Sequence, residues 1–237
     1  MKYLMVLLFV MLCSVNSLAQ DTLPDGLNDT LYPDLGNGSY DVQHYTIDLS
    51  FDPDRNFIEG ATSIKAVATQ EFEAFTLDFS GLHVTRVFVN DAPVIFSRAN
   101  HKMMIIPPLA FKPGDNLNVR VNYNGVPQPV ADEGVPFIRL GWQRFSDGFY
   151  ASVSEPSGSM NWFPSNNHPL DKATFTYRIT VPQPNVVAAD GILYETFANS
   201  NANTSDFITV AESVSGQDLD TLFDGWLFSD TIPDLPE

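Results

Sequence analysis

Apolar and polar residues alternate along the chain from residue 40 onward. Tyr45, Ile47, Leu49 and Phe51 share one face of an extended segment, and His44, Thr46, Asp48 and Ser50 share the other. This period of two marks a half-buried strand. Phe75, Leu77 and Phe79 repeat it, as do Val87 and Val89, and then Leu117, Val119, Val121 and Tyr123. Turn signals such as Asn90-Asp91 and Pro113-Gly114 stand between the runs; proline presets the first turn dihedral and glycine takes the positive one. Residues 124–148 read as a loop, with Pro127, Pro129, Pro136 and several glycines. Strand pattern returns over residues 149–154 and at Phe175, Tyr177, Ile179 and Val181. Alternating strands joined by tight turns, with no helical period among them, predict a mainly β chain built as a β-sandwich over residues 39–193.

The period changes after residue 193. Phe207, Val210, Ala211 and Val214 follow helical spacing, with Thr204 or Ser205 as N-cap and Gly216 as C-cap, and Leu219, Leu222, Phe223 and Trp226 form a second apolar stripe. Residues 194–237 are therefore expected to form a short helical hairpin and a tail. At the other end, residues 1–19 combine Lys2, an apolar run and a Ser17-Leu18-Ala19 ending. This is the pattern of a secretory signal peptide cleaved after Ala19, and it places the chain outside the cell or in the periplasm with no membrane span after cleavage. Cys13 follows Leu12, where a lipoprotein cysteine requires a small residue. Residues 20–38 are rich in Asp, Gly, Pro and Asn and are expected to be a solvated acidic leader; the acid spacing fits no EF-hand loop. Sequons stand at Asn28, Asn37 and Asn203.

Composition narrows the function classes. Cys13 is the single cysteine, and it falls in the signal segment, so the expected mature chain has no disulfide and must rely on its core. The formal net charge of −17, from 12 basic and 29 acidic residues, argues against nucleic acid and anionic membrane as partners. A cysteine nucleophile, a G-x-S-x-G elbow and a glycine-rich phosphate loop are all missing from the expected mature sequence. The four histidines stand in QHYT, LHVT, NHKM and NHPL, and none begins the H-E-x-x-H of a zinc peptidase helix. His44 and His83 read as surface or cross-strand packing residues. Trp142, Phe145, Phe149, Tyr150, Trp162 and Phe163 form an aromatic set that could stack on a sugar or a peptide. Phe163 and Pro164 are expected to pack in the core.

The stretch Glu155-Pro156, then Phe163-Pro164, Pro169 and Lys172-Ala173-Thr174-Phe175 resembles the N-terminal β domain of the M1 zinc aminopeptidases, the aminopeptidase N and leukotriene hydrolase family. Ser159-Met160 replaces the family's Ala-Arg, Ser165 its Cys and Asn167 its Asp. The resemblance implies that Glu155 binds the free α-amine of a peptide substrate, with Phe163, Pro164, Pro169 and Lys172 as the structural motif around it. A carboxylate suits an ammonium group because a charge-assisted hydrogen bond fixes the first residue of the peptide. Residues 201–228 are similar to two late helices of the family's catalytic region, while the H-E-x-x-H and G-x-M-E-N segments are missing from this sequence. The expectation is an internally deleted homologue without hydrolase activity of its own and without a catalytic residue, a metal ligand or the family's zinc. Its expected partners are a peptide N-terminus or a protein. These include a catalytic domain on another chain and a second copy, through the face that a missing domain would have covered.

Overall fold

The computed structural model describes residues 26–185 apart from residues 28, 133–136 and 147, together with isolated positions 187, 189, 208, 209, 212, 213, 218–220 and 223. Within them run β1 (Tyr40–Asp52), β2 (Phe57–Ala68), β3 (Phe75–Asp78), β4 (His83–Val89), β5 (Ala92–Pro93) and β6 (Ile95–Ala99). They are followed by β7 (Lys102–Ile106), β8 (Asn116–Gly125), β9 (Val130–Ala131), β10 (Arg139–Ser146), β11 (Phe149–Val153) and β12 (Thr174–Thr180). One sheet has the order β12-β1-β2-β8-β4-β5, with β12 parallel to β1 and the other pairs antiparallel. Two three-stranded sheets, β11-β10-β9 and β3-β7-β6, complete the body. The signal segment and most of the predicted helical hairpin lie outside the described residues. Of that hairpin, Ile208, Thr209, Glu212, Ser213, Asp220 and Phe223 have helical backbone, whereas Asp218 and Leu219, the latter expected on the second helical stripe, do not.

Alternation converts directly into burial. Tyr45, Ile47, Leu49 and Phe51 of β1 and Leu117, Val119, Val121 and Tyr123 of β8 are buried. They join Phe75, Leu77, Met103 and Ile105 of the small β3-β7-β6 sheet in one core. Aromatic edges lock the layers together: Tyr40 meets Phe75 with ring centroids 5.6 Å apart, and Phe79 meets Tyr123 at 5.0 Å. Such T-shaped pairs add roughly 0.5–1.5 kcal/mol beyond the area they bury. Gly60 sits where a Cβ would collide with the Asp48 carbonyl oxygen and the Leu49 side chain, so β1 and β2 can pair closely only with glycine there.

Two expectations change. Residues 124–148 are not all loop, because β8 runs to Gly125 and β10 occupies Arg139–Ser146, paired to β11. Gly141, with φ +98°, and exposed charges at Arg139 and Arg144 broke the alternation that would have revealed β10. The segment before β1 is also not a solvated leader throughout. Leu35, Gly36, Asn37 and Ser39 are buried, because their backbone groups are tied into the body. Gly36 N–H donates to Asp78 Oδ2 at 2.8 Å and Lys102 Nζ donates to the Gly36 carbonyl at 2.9 Å. The Asn37 amide donates to Thr76 Oγ1 at 2.9 Å, so this sequon is closed to glycosylation in the folded chain, while Asn28 and Asn203 lie outside the described residues.

The centre of this junction is an ion pair. Asp78, 1% exposed at its side chain, lies 2.7 Å from Lys102 Nζ and accepts the Asn167 N–H at 3.0 Å. A buried carboxylate is tolerated only when paired and hydrogen-bonded. A second acid, Asp171, accepts the Val42 N–H at 3.0 Å and also an Asn166 amide hydrogen. Burial raises its carboxyl to about 6, with Asp41 adding to the effect.

Two outcomes follow from these acids. Asp78→Ala strands Lys102 and two backbone donors in the interior, and is expected to lower stability by about 3–5 kcal/mol, read from urea denaturation. Asp171 acts in the opposite sense to a salt-bridged acid. Its folded pKa lies above the unfolded value of 3.8, so the native state holds the extra proton between the two. Its contribution is greatest at acid pH and is lost as pH rises through about 6. Thermal unfolding of Asp171→Asn from pH 4 to 7 should therefore show a flatter loss of stability across that window than the parent chain.

Candidate functional site

The site is built where β11 ends. Beyond Val153 the chain passes through Ser154 and a cis Glu155-Pro156 bond, turns through a 3-10 segment Gly158–Asn161, and enters the buried run from Asn161 to His168. The turn is tight because Gly158 N–H donates to the Ser154 carbonyl at 2.6 Å, and a Cβ on Gly158 would collide with the Val153 carbonyl oxygen. Glu155 and Pro156 are thereby pushed outward, and both are exposed while Ser157 and Gly158 are buried.

Beneath this tip lies a rigid floor. Phe163, 3% exposed, packs edge-on against Tyr45 at 5.9 Å and against Trp162 at 4.6 Å, and Pro164 beside it is also buried. Both are packing residues, as expected. Trp162 Nε1 donates to Ser154 Oγ at 3.3 Å, which ties the floor to the residue immediately before Glu155. Pro169 and Lys172 are exposed, so the motif residues divide into a buried set that holds the loop and an outer set.

Two positions that depart from the family pattern, Ser165 and Asn167, and Asn166 between them hold the loop by amide hydrogen bonds. Asn167 Nδ2 donates to the Ser157 carbonyl at 2.7 Å. Ser165 exchanges backbone hydrogen bonds with Asp78 at 2.8 and 3.0 Å, and Asn166 N–H donates to Tyr45 OH at 2.9 Å. An asparagine can both donate and accept, so a neutral side chain stands where the family uses an acid.

A second buried acid stands on the other side of the turn. Asp132, 4% exposed, accepts the hydroxyl of Ser157 and, at 2.7 Å, that of Tyr32. Burial, with Asp132 beside it, pushes the Tyr32 phenol up to about 12. This pair joins the segment before β1 to the Glu155 turn. Sequence reasoning missed it, because the partners are a hundred residues apart and neither lies in a motif.

The aromatic set divides in the same way as the motif. Trp142 packs on Phe51 at 4.9 Å, and Tyr150 OH donates to the Pro53 carbonyl at 2.8 Å. Phe145 and Phe149 at the β10–β11 hairpin are exposed, with ring centroids 5.7 Å apart.

The histidines do not converge. Both ring nitrogens of His44 are engaged by hydroxyls, Nδ1 by Thr174 at 2.6 Å and Nε2 by Thr176 at 3.1 Å. His83 is exposed on β4, and His168 accepts the Leu170 N–H at Nδ1. Among the described residues, no group of potential ligand atoms includes a histidine; the one acidic group is Glu212, Asp218 and Asp220. A zinc centre of the peptidase type needs histidines on one helix face together with a carboxylate, and these donors do not fit it.

Comparison with known proteins agrees with the motif. The family model of the peptidase M1 N-terminal domain matches residues 41–212, past the expected end of the β domain at 193. No curated protein matches the chain. Among solved structures, a mutant M1 zinc metallopeptidase from Deinococcus radiodurans bound to a Tyr-Ser-Ala substrate is 34% identical, with a TM-score of 0.62 over 66% of this chain and 36% of that one. A two-domain M1 zinc metallopeptidase mutant bound to L-arginine is 30% identical, with a TM-score of 0.62 over 70% of this chain and 40% of that one. The chain therefore spans well under half the length of the metallopeptidases it matches. By fold, by the Glu155 to Phe175 motif and by this match over most of its length, the chain belongs to the peptidase M1 N-terminal domain family.

Proposed function

We propose that this chain is an exported, internally deleted M1 aminopeptidase homologue that holds the free amine of a peptide or protein N-terminus without cleaving it. The observation that carries the reading is the Glu155 turn: an exposed carboxylate on a loop whose floor is buried and tied to the turn by hydrogen bonds from Trp162 to Ser154 and from Asn167 to Ser157. A carboxylate carried on a braced turn and open to solvent can accept an ammonium group without reordering the backbone, and preorganisation of this kind lowers the entropy lost on binding. Absence of catalysis follows from the residues themselves. None of the four histidines stands in an H-E-x-x-H, so nothing in the chain supplies the zinc ligands and general base that the family's chemistry requires.

A second reading is supported by exposed apolar residues just before β10 and at the tip of the β10–β11 hairpin. Phe137 is 85% exposed, and Ile138, Phe145 and Phe149 are also exposed. Exposed apolar groups such as the Phe145–Phe149 pair, with ring centroids 5.7 Å apart, mark protein contact surfaces when they join into larger patches. A zinc-bearing catalytic chain seated there would use Glu155 in trans.

Amino-acid p-nitroanilides, incubated with the protein with and without added zinc, test the first reading. The expected result is no release of chromophore and sub-stoichiometric zinc by mass spectrometry; zinc-dependent turnover would overturn it. Titration with Tyr-Ser-Ala is expected to show binding that is lost on N-acetylation of the peptide and weakened about tenfold or more by Glu155→Gln, the size of a charge-assisted hydrogen bond. Turnover appearing only on addition of a separate zinc-bearing M1 chain would select the second reading.

A further inference from the structure

The turn that carries Glu155 crosses the sheet it leaves. β10 is the central strand of β11-β10-β9, and the chain leaving β11 passes over it: a Cβ on Gly158 would lie 2.8 Å from the Gly141 backbone nitrogen and 3.0 Å from Leu140 Cβ. On the far side stands Asp132, which directly follows β9 and accepts the Ser157 hydroxyl at Oδ2. A carboxylate beyond one edge of the sheet therefore holds a turn that begins at the other edge.

The second oxygen of Asp132 belongs to the segment before β1. Tyr32 donates to Oδ1 at 2.7 Å, and its phenol, pushed up to about 12 by burial and by Asp132, stays a donor at neutral pH. Tyr32 is itself placed by local bonds. Asp29 Oδ1 accepts the N–H groups of Leu31 and Tyr32 at 2.8 and 3.1 Å, and the Leu35 N–H donates to the Tyr32 carbonyl at 3.2 Å. From Leu35 the segment continues to Gly36 and Asn37, whose N–H groups donate to Asp78 and to the Asn166 side chain. The segment thus reaches the Glu155 turn through Asp132 and the floor beneath it through Asn166.

Packing is thin at this point. Tyr32, Leu35, His101, Asp132, Ser157 and Met160 line a cavity of about 140 Å³ between the segment and the turn. Met160 stands where the family pattern has an arginine, and its side chain has no N–H or O–H with which to brace the turn. The position of Ser157 is left to hydrogen bonds: Asn167 holds its carbonyl at 2.7 Å, and Asp132 holds its hydroxyl. Hydrogen bonds to an ionised acceptor are roughly twice as strong as neutral ones, so the Asp132 contact is the stronger of the two.

We propose that Tyr32, Asp132 and Ser157 are positioning residues for Glu155, a latch through which the segment before β1 sets the turn that presents the carboxylate. They act through the short step of backbone from Ser157 back to Glu155. The consequence for binding rests on the amine-binding reading, whereas the bracing of the turn does not.

Hydrogen exchange on the unliganded chain tests the bracing, with the Gly158 amide, bonded to the Ser154 carbonyl, as reporter. Tyr32→Phe and Ser157→Ala should each speed its exchange about tenfold or more, the size of one hydrogen bond to a charged group. Tyr123→Phe removes another buried hydroxyl, paired with Thr62. It should speed exchange of the Val119 amide in β8 and leave Gly158 unchanged. Titration with Tyr-Ser-Ala then tests the consequence: both latch variants should weaken binding about threefold or more, and should add no further loss once Glu155→Gln is present. A Gly158 amide that keeps its rate in both latch variants, or that Tyr123→Phe moves equally, would overturn the latch. So would a peptide affinity that is the same in the latch variants as in the parent. A parent chain that does not bind the peptide, with Gly158 still exchanging faster in both variants, would sink the amine-binding reading and leave the latch standing.

Discussion

The ion pair between Asp78 and Lys102 holds together parts of the chain that share no sequence neighbourhood. Asp78 ends β3 and Lys102 begins β7, and the two are opposite each other in register. Through them the segment before β1 is anchored by Gly36, and the motif loop by Asn167. Charges this deeply buried lose several kcal/mol of hydration each. The pair is therefore stable only while every one of these partners stays in place, and that requirement makes the junction a single unit. The Glu155 turn inherits its rigidity from this junction, since Asn167 donates to the Ser157 carbonyl with one group and to Asp78 with another.

The layers put different demands on their outer faces. The large sheet shows water a polar face of threonine, serine, asparagine and charge, including Asp48 bound to Arg178 at 3.2 Å. The small β3-β7-β6 sheet shows apolar side chains on β6 and β7, within residues 92–114, a stretch that contains no acid. An antiparallel sheet with one solvated face normally alternates cleanly between apolar inward and polar outward positions, and β1 and β8 obey that rule. β7 breaks it with Met103, Met104, Ile105 and Ile106 in succession. The run leaves β7 with Met103 and Ile105 buried and with Met104 and Ile106 exposed on an apolar outer face.

How far the chain could be read before folding depended on how local each signal was. The inward faces of β1, β8 and β12 and the packing role of Phe163 were legible, because each rests on a period or motif within a few residues. β10 was hidden by Gly141 and by flanking arginines whose side chains go to solvent. The segment before β1 looked like a solvated arm because its composition is that of a loop. It is held in place by backbone groups, which composition does not report. In the same way, Asn167 looked like a loss from a family pattern, whereas in the fold it donates through its backbone to Asp78 and through its side chain to Ser157.

By itself, the sequence determined the strand periodicity, the mainly β class, the Glu155 motif with its M1 kinship, and the lack of an H-E-x-x-H. All of these depend on residue type and short spacing. Only the tertiary structure decided which buried acids are paired, that Asn37 is sealed from solvent, that Tyr32 and Ser157 meet on Asp132, and that no strand among the described residues pairs with the outer edge of β6. Each of these is a contact between residues distant in sequence, or the lack of one. Burial and pairing of that kind arise only when the layers have closed on one another.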